Sequence, residues 1–151
     1  MPNETSMRRL IYFDTGALAK WYINEKGSDE VEKFIRDQGP VGASELTVVE
    51  MRSLLARRRR ENHFFPSLEI EIFSTFQEDI RRKTILCHPL PFGLATAAVH
   101  LLNQLSDVPL ATLDVLHLAL AREIGTEILA TADRIMADAA EAMDLEVVRF
   151  T

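Results

Sequence analysis

Apolar positions fall into two kinds of stretch that alternate along almost the whole chain. Short unbroken runs read as strands buried on both faces: Leu10–Phe13, TILCHPL around Cys87, EILATA around Leu129 and LEVVRF at the close. GPVGAS supplies one more brief strand. Between these runs apolar residues recur at helical spacing. Val31, Phe34 and Ile35 mark one helix; Leu68, Ile72, Phe73, Phe76 and Ile80 mark another that opens at Pro66-Ser67. Leu94, Ala97, Ala98, Leu101, Leu102 and Leu105 form an apolar stripe on a third. Further helices are predicted over Ala17–Ile23, from Leu46 to about Arg60, from Thr112 to near Gly125, and over Asp133–Met143. Strands alternating with helices imply a parallel sheet covered on both faces, so the fold class is α/β. No linker, repeat or low-complexity tract divides residues 1–151, a length that suits a single domain.

Composition narrows the setting. No apolar run is long enough to span a bilayer, and Asp14 interrupts the stretch after MPNETSMRR too early for a signal peptide. The single cysteine, Cys87, excludes an internal disulfide framework and favours a reducing, cytoplasmic compartment. In its strand it reads as a small core residue. The net charge of −6 is unlike that of a nucleic-acid binder, but it is unevenly spread. Residues 105–151 carry nine acids and three arginines, whereas residues 52–83 carry eight basic and five acidic side chains. That division suits a protein binding cations in one place and phosphates in another.

The acids point to chemistry through where they fall. In parallel α/β sheets, ligands bind in the crevice beyond the carboxyl ends of the strands. Asp14 ends the first strand, and Asp133 follows EILATA at the start of a helix. Asp114 lies in the first turn of its helix, with Thr112 expected as the N-cap. Taken singly, each is explained by capping or by the helix dipole. Glu50 is harder to explain so. Its helical neighbours Leu46, Val49, Ser53 and Leu54 place it on the side expected to face the core, with no lysine or arginine one turn away on that side. An ionised carboxylate there is expensive without a partner, and a cation shared with other acids would serve. Four converging carboxylates without histidine or cysteine ligands suit a hard divalent ion, Mg2+ or Mn2+. Such ions activate water and neutralise charge on a phosphodiester.

Four segments in order, YFDTGALAKWY, SELTVVEMRS, LATLDVLHLALA and ILATADRIMADAAEAMDLEVV, resemble the PIN domain, and more narrowly the VapC toxin ribonucleases of prokaryotic toxin–antitoxin pairs. The likeness runs from about Arg8 to Val148. It implies a PIN-like α/β/α sandwich with a short central parallel sheet, and Mg2+- or Mn2+-dependent endoribonuclease activity. It places the catalytic, metal-binding quartet on Asp14, Glu50, Asp114 and Asp133, with Thr15 and Thr131 orienting carboxylates or water. It also implies a homodimer and a cognate antitoxin whose C-terminal segment lies near the active site. Two positions depart from the pattern. Gly16 stands where serine or alanine is commoner, and Asp144-Leu145 replaces the usual glycine before the last strand.

Other residues add detail. Arg57 to Arg60 complement the dipole at the end of the Glu50 helix and also offer phosphate contacts to RNA. Successive helical residues lie about 100° apart, so the four cannot all face one groove; Arg57 and Arg60 are the candidates for RNA contact. His117 reads as a helix-packing histidine with one hydrogen bond, and His63, His88 and His100 lack metal-ligand spacing. Trp21, Phe64, Phe65, Phe73 and Phe76 exceed what one small core is expected to cover, which points to a subunit contact or a groove for a partner segment. Two other readings remain at this level. One is a PIN-like RNA- or protein-binding module without activity, against which the complete quartet argues. The other is a different Mg2+-dependent phosphohydrolase. A doubly wound phosphatase would carry a second aspartate where Gly16 stands, and a receiver-like phosphoacceptor would add paired acids after the first strand and a late lysine.

Overall fold

The computed structural model describes residues 8–151. Its elements run β1 (Ile11–Phe13), α1 (Thr15–Tyr22), α2 (Ser28–Gln38), β2 (Val41–Ser44), α3 (Glu45–Arg60) and α4 (Pro66–Arg81). There follow β3 (Ile85–His88), α5 (Leu94–Gln104), α6 (Thr112–Glu123), β4 (Ile128–Thr131), α7 (Arg134–Ala142) and β5 (Glu146–Arg149). Every strand pairing is parallel, and the sheet order is β3-β2-β1-β4-β5. The chain winds outward from β1 to β3, then returns to the other side of β1 for β4 and β5. β1 and β4 therefore flank the switch point at which α/β sheets open a crevice.

Side chains alternate across the sheet with period two, as extended backbone requires. Ile11, Phe13, Val41, Ala43 and Ile85 pack under residues of α1, α2, α3 and α4. Tyr12 and Leu129 point the other way, against α5, α6 and α7. The result is an α/β/α sandwich in which β1, β2 and β4 are buried throughout. The edge strand β5, expected to be buried on both faces, leaves Glu146 and Arg149 exposed and Val147 and Val148 partly covered, because it has a neighbouring strand on one side alone. Gly42 sits where a Cβ would come within 2.6 Å of the Ile11 carbonyl oxygen, so only glycine lets β1 and β2 approach this closely. The Asp14 amide donates to the Ala130 carbonyl at 2.9 Å, which carries the β1–β4 ladder one residue further and delivers Asp14 to the crevice.

Several sequence expectations need correction. Thr112 is the first residue of α6; Ala111 holds the N-cap position, and no side chain caps that helix. On α3 the buried stripe is Thr47, Met51 and Leu55, while Val49 is 71% exposed. Glu50 thus stands at the margin of the core. The expected excess of aromatic surface is mostly absorbed. Phe76 is buried, Trp21, Phe64 and Phe73 pack against the core, and of that set only Phe65, 81% exposed, stays open. Asp144 adopts φ 63°, which explains the departure from glycine there: aspartate is among the few side chains that enter the left-handed region readily. Among the described residues no helix is long and apolar enough to cross a membrane.

Candidate active site

A crevice of about 270 Å³ opens at the switch point, lined by Asp14, Thr15, Gly16, Glu50, Asp114, His117, Ala132 and Asp133. All four acids of the expected quartet line it. Asp14 and Asp133 are placed by strand ends and Asp114 by a helix start, while Glu50 reaches the crevice from the second turn of α3.

Asp14 is the N-cap of α1. One carboxylate oxygen accepts from the Ala17 amide at 2.7 Å, and the other accepts from the Thr131 hydroxyl. The group is 6% exposed, and burial pushes its pKa up to about 6 against the pull of those hydrogen bonds. Thr131 is fully buried behind the crevice; its Oγ1 also accepts from the Asp133 amide at 2.9 Å. One hydroxyl therefore links the first and last acids of the quartet. Asp133 caps α7 through a bond from the Met136 amide at 2.9 Å, which uses one oxygen, Oδ1. Asp114 makes no side-chain hydrogen bond among the described residues. Its pKa is raised, first by burial and then by the charges of Asp133 and Glu50.

Glu50 Oε1 accepts from Thr15 Oγ1 at 2.9 Å and is also bonded to His117 Nε2. The other imidazole nitrogen, Nδ1, lies 2.6 Å from the Tyr12 hydroxyl, which lies 2.8 Å from Ser44 Oγ. Burial raises the Tyr12 pKa to about 12, so the phenol keeps its proton. One arrangement of hydrogens satisfies every group: Ser44 donates to Tyr12, Tyr12 to Nδ1, and Nε2–H to Glu50. His117 had been expected to make one hydrogen bond as a packing residue. It makes two and faces the crevice, because β1 and β2 supply Tyr12 and Ser44 behind it. The signal in the sequence was its position one turn after Asp114; the tie to Tyr12, 105 residues distant, was not visible there.

Carboxylate oxygens suit a hard divalent ion, and the mutual repulsion that raises the Asp114 pKa is what a cation would relieve. As placed, no three histidine, cysteine or acidic side chains among the described residues stand close enough to enclose an ion. Asp14 turns both oxygens to protein donors and Glu50 turns one, whereas Asp133 Oδ2 and both Asp114 oxygens remain uncommitted. At Gly16 an added Cβ would meet Asp14 Oδ1 at 3.8 Å and Ala132 Cβ at 3.9 Å, ordinary contacts that leave room for the serine or alanine expected there.

The arginine run divides. Arg58 pairs with Glu25 at 2.7 Å, and Arg59 joins Arg52 on Glu69 at 2.7 and 2.8 Å. Arg57 and Arg60 are exposed and have no ion pair among the described residues. Neither lines the crevice. Arg57 lies seven residues beyond Glu50, on the same side of α3 and about 10 Å along its axis.

A family model described as PIN domain matches residues 11–142. Ribonuclease VapC46 of Mycobacterium tuberculosis is 28% identical over 143 residues, covering 91% of this chain and 95% of that protein. The crystal structure of VapC20 from the same organism, described as a Sarcin-Ricin loop cleaving toxin, superposes with a TM-score of 0.67 at 17% identity, over 85% of this chain and 94% of that one. DNA-bound VapBC from Salmonella typhimurium gives a TM-score of 0.63 at 10% identity, over 95% and 99%. At such identities the solved structures establish a shared fold.

Proposed function

The chain belongs to the PIN-domain family, and on that premise we propose that it is a VapC-like, Mg2+- or Mn2+-dependent endoribonuclease formed by a single domain. The observation that carries this reading is the meeting of Asp14, Glu50, Asp114 and Asp133 in one crevice at the switch point. The likeness to a ribonuclease along nearly the whole chain supports it.

Each acid has a part. Asp14 and Asp133 are held by helix amides and by Thr131, which fixes their orientation before any ligand arrives. Glu50 is steadied by Thr15 and His117. Asp114 offers two free oxygens in a half-buried position, where neighbouring negative charge makes a cation welcome. When bound, Mg2+ or Mn2+ would supply a Lewis acid that makes water nucleophilic at neutral pH and offsets charge on the phosphodiester. Arg57 and Arg60 are free to contact the RNA backbone.

The VapBC neighbour is a toxin–antitoxin complex, which supports a cognate antitoxin as partner for this chain in the cytoplasm. A lysine or arginine from that partner would satisfy carboxylates that a metal otherwise binds. A homodimer completes the reading. RNA cleavage by the wild type in Mg2+, halted by chelator and absent in Asp14→Asn, is the test. Undiminished cleavage by that variant would refute the assignment.

A further inference from the structure

A second cleft, of about 680 Å³, adjoins the acidic crevice and shares Ala132 as its dividing wall. Its other lining residues are Lys20, Lys26, Arg134, Ile135, Phe150 and Thr151, with no aspartate or glutamate side chain among them. The three cations do not play one part. The Lys20 ammonium donates to the Lys26 carbonyl at 2.7 Å and lies 3.5 Å from Glu25, so it secures the loop that carries Lys26. Lys26 and Arg134 are exposed and, among the described residues, have no ion pair. Arg134 directly follows Asp133, and lines this cleft while Asp133 lines the acidic crevice. Ile135, next to Arg134, is 40% exposed and, with Ala132 and Phe150, makes the apolar part of a lining whose charged side chains are all cationic.

A polyanion approaching a chain of net charge −6 and a crevice of four carboxylates needs local positive charge to be held. Two free cations beside an exposed apolar side chain match one nucleotide of a strand, which brings a phosphate and a base together. A bare phosphate would leave Ile135 without a role. The cleft also lies on the β4 side of the crevice, whereas Arg57 lies beyond Glu50 on the helix that follows β2. A strand running between them would cross the carboxylates.

We propose that this cleft is the subsite for the nucleotide adjoining the scissile phosphate, with Lys26 and Arg134 on its phosphate and Ile135 against its base. The proposal rests on the nuclease reading above. The test compares wild type with the double variant Lys26→Gln, Arg134→Gln, binding single-stranded oligoribonucleotides in chelator over a range of salt. The slope of log affinity against log salt should become shallower by roughly 0.7 in the variant, the value for one phosphate of a single strand no longer neutralised. Neutralising one phosphate at a time as a methylphosphonate should weaken wild-type binding most at one position adjoining the cut, and the variant should be indifferent at that position. Equal slopes would overturn the proposal, as would a loss spread evenly over all phosphates. Cleavage by the wild type in Mg2+ or Mn2+, measured in parallel, separates the two ideas: no activity there rejects the nuclease reading, while the binding data still report on the cleft.

Discussion

Glu50 on α3 and His117 on α6 meet across the crevice, and the imidazole that holds the carboxylate is itself held by the Tyr12 phenol on β1. Three separate elements thus set the direction of one acid. On the proposed reading Glu50 is a metal ligand, and partners one step removed from a ligand typically change metal affinity or activity by 10–100-fold. His117→Ala should lower turnover and Mn2+ affinity by about that factor, and His117→Gln should recover part of both, since its amide can still donate to Glu50. Calorimetry with Mn2+ and a cleavage assay give the two readings. Unchanged affinity in His117→Ala would reduce the imidazole to packing.

Asp14 makes the apo protein sensitive to pH in an unusual direction. Its folded-state value of about 6 lies above the ordinary 3.8, so the folded protein holds this proton more tightly than the unfolded chain does. The stabilising contribution is full below pH 3.8 and is lost as pH rises through 6. Asp14→Asn should therefore stabilise the metal-free protein at pH 7 by about 2–3 kcal/mol, from the size of the shift, with the advantage gone near pH 4. Urea denaturation of both proteins in chelator at the two pH values measures it.

Divalent ions should stabilise the fold as well as support cleavage. Burial and the charges of Asp133 and Glu50 disfavour the ionised form of Asp114, and a bound cation would offset both. At a concentration 100 times its Kd, a ligand adds about 2.7 kcal/mol, or roughly 5–10 °C in Tm for a chain of this size. Asp114→Asn should lose most of that shift. A Tm indifferent to Mg2+ and Mn2+ in the wild type would count against the metal site.

The arginine run predicts two distinct outcomes. Replacing Arg57 and Arg60 with glutamine should weaken RNA binding and flatten its salt dependence with no change in Tm. Replacing Arg58 and Arg59 should instead lower Tm. They brace α3 against Glu25 and against Glu69, whose pKa Arg52 and Arg59 hold below the ordinary value. Filter binding and thermal melts distinguish the pairs.

Subunit association should follow the apolar surface that remains open. Val99 and Leu102 on α5 and Leu113 on α6 are exposed, and these helices pack on each other. A homodimer with this face as the contact is expected by light scattering at micromolar concentration, and Val99→Asp should shift it to monomer; a variant that stays dimeric would place the contact elsewhere.

The order of strands and helices was legible because apolar runs and helical spacing are local patterns. A helix start was legible where a side chain caps it, as at Asp14 and Asp133; α6 starts after Ala111 with no side-chain cap, and Thr112 was misplaced. Asp14 and Asp133 could be placed for the same reason: a carboxylate after a buried strand has few other positions to occupy. The margin of α3 was misjudged at Glu50 because spacing shows which residues share a face but not which face meets the core. Val49, 71% exposed on that face, shows the difference.

By itself, then, the sequence determined the alternation of strands and helices and picked out four acids as candidates, Asp14 and Asp133 from strand ends, Asp114 from a helix start and Glu50 from its helix face. The tertiary structure alone decided which groups hold those acids. Thr131 reaches Asp14 across 117 positions, and His117 reaches Glu50 across 67. It also decided that Arg58 and Arg59 are tied to carboxylates while Arg57 and Arg60 are not. Hydrogen bonds and ion pairs act over a few ångströms of space, and sheet order, which brings distant segments within that range, leaves no periodic trace in the chain.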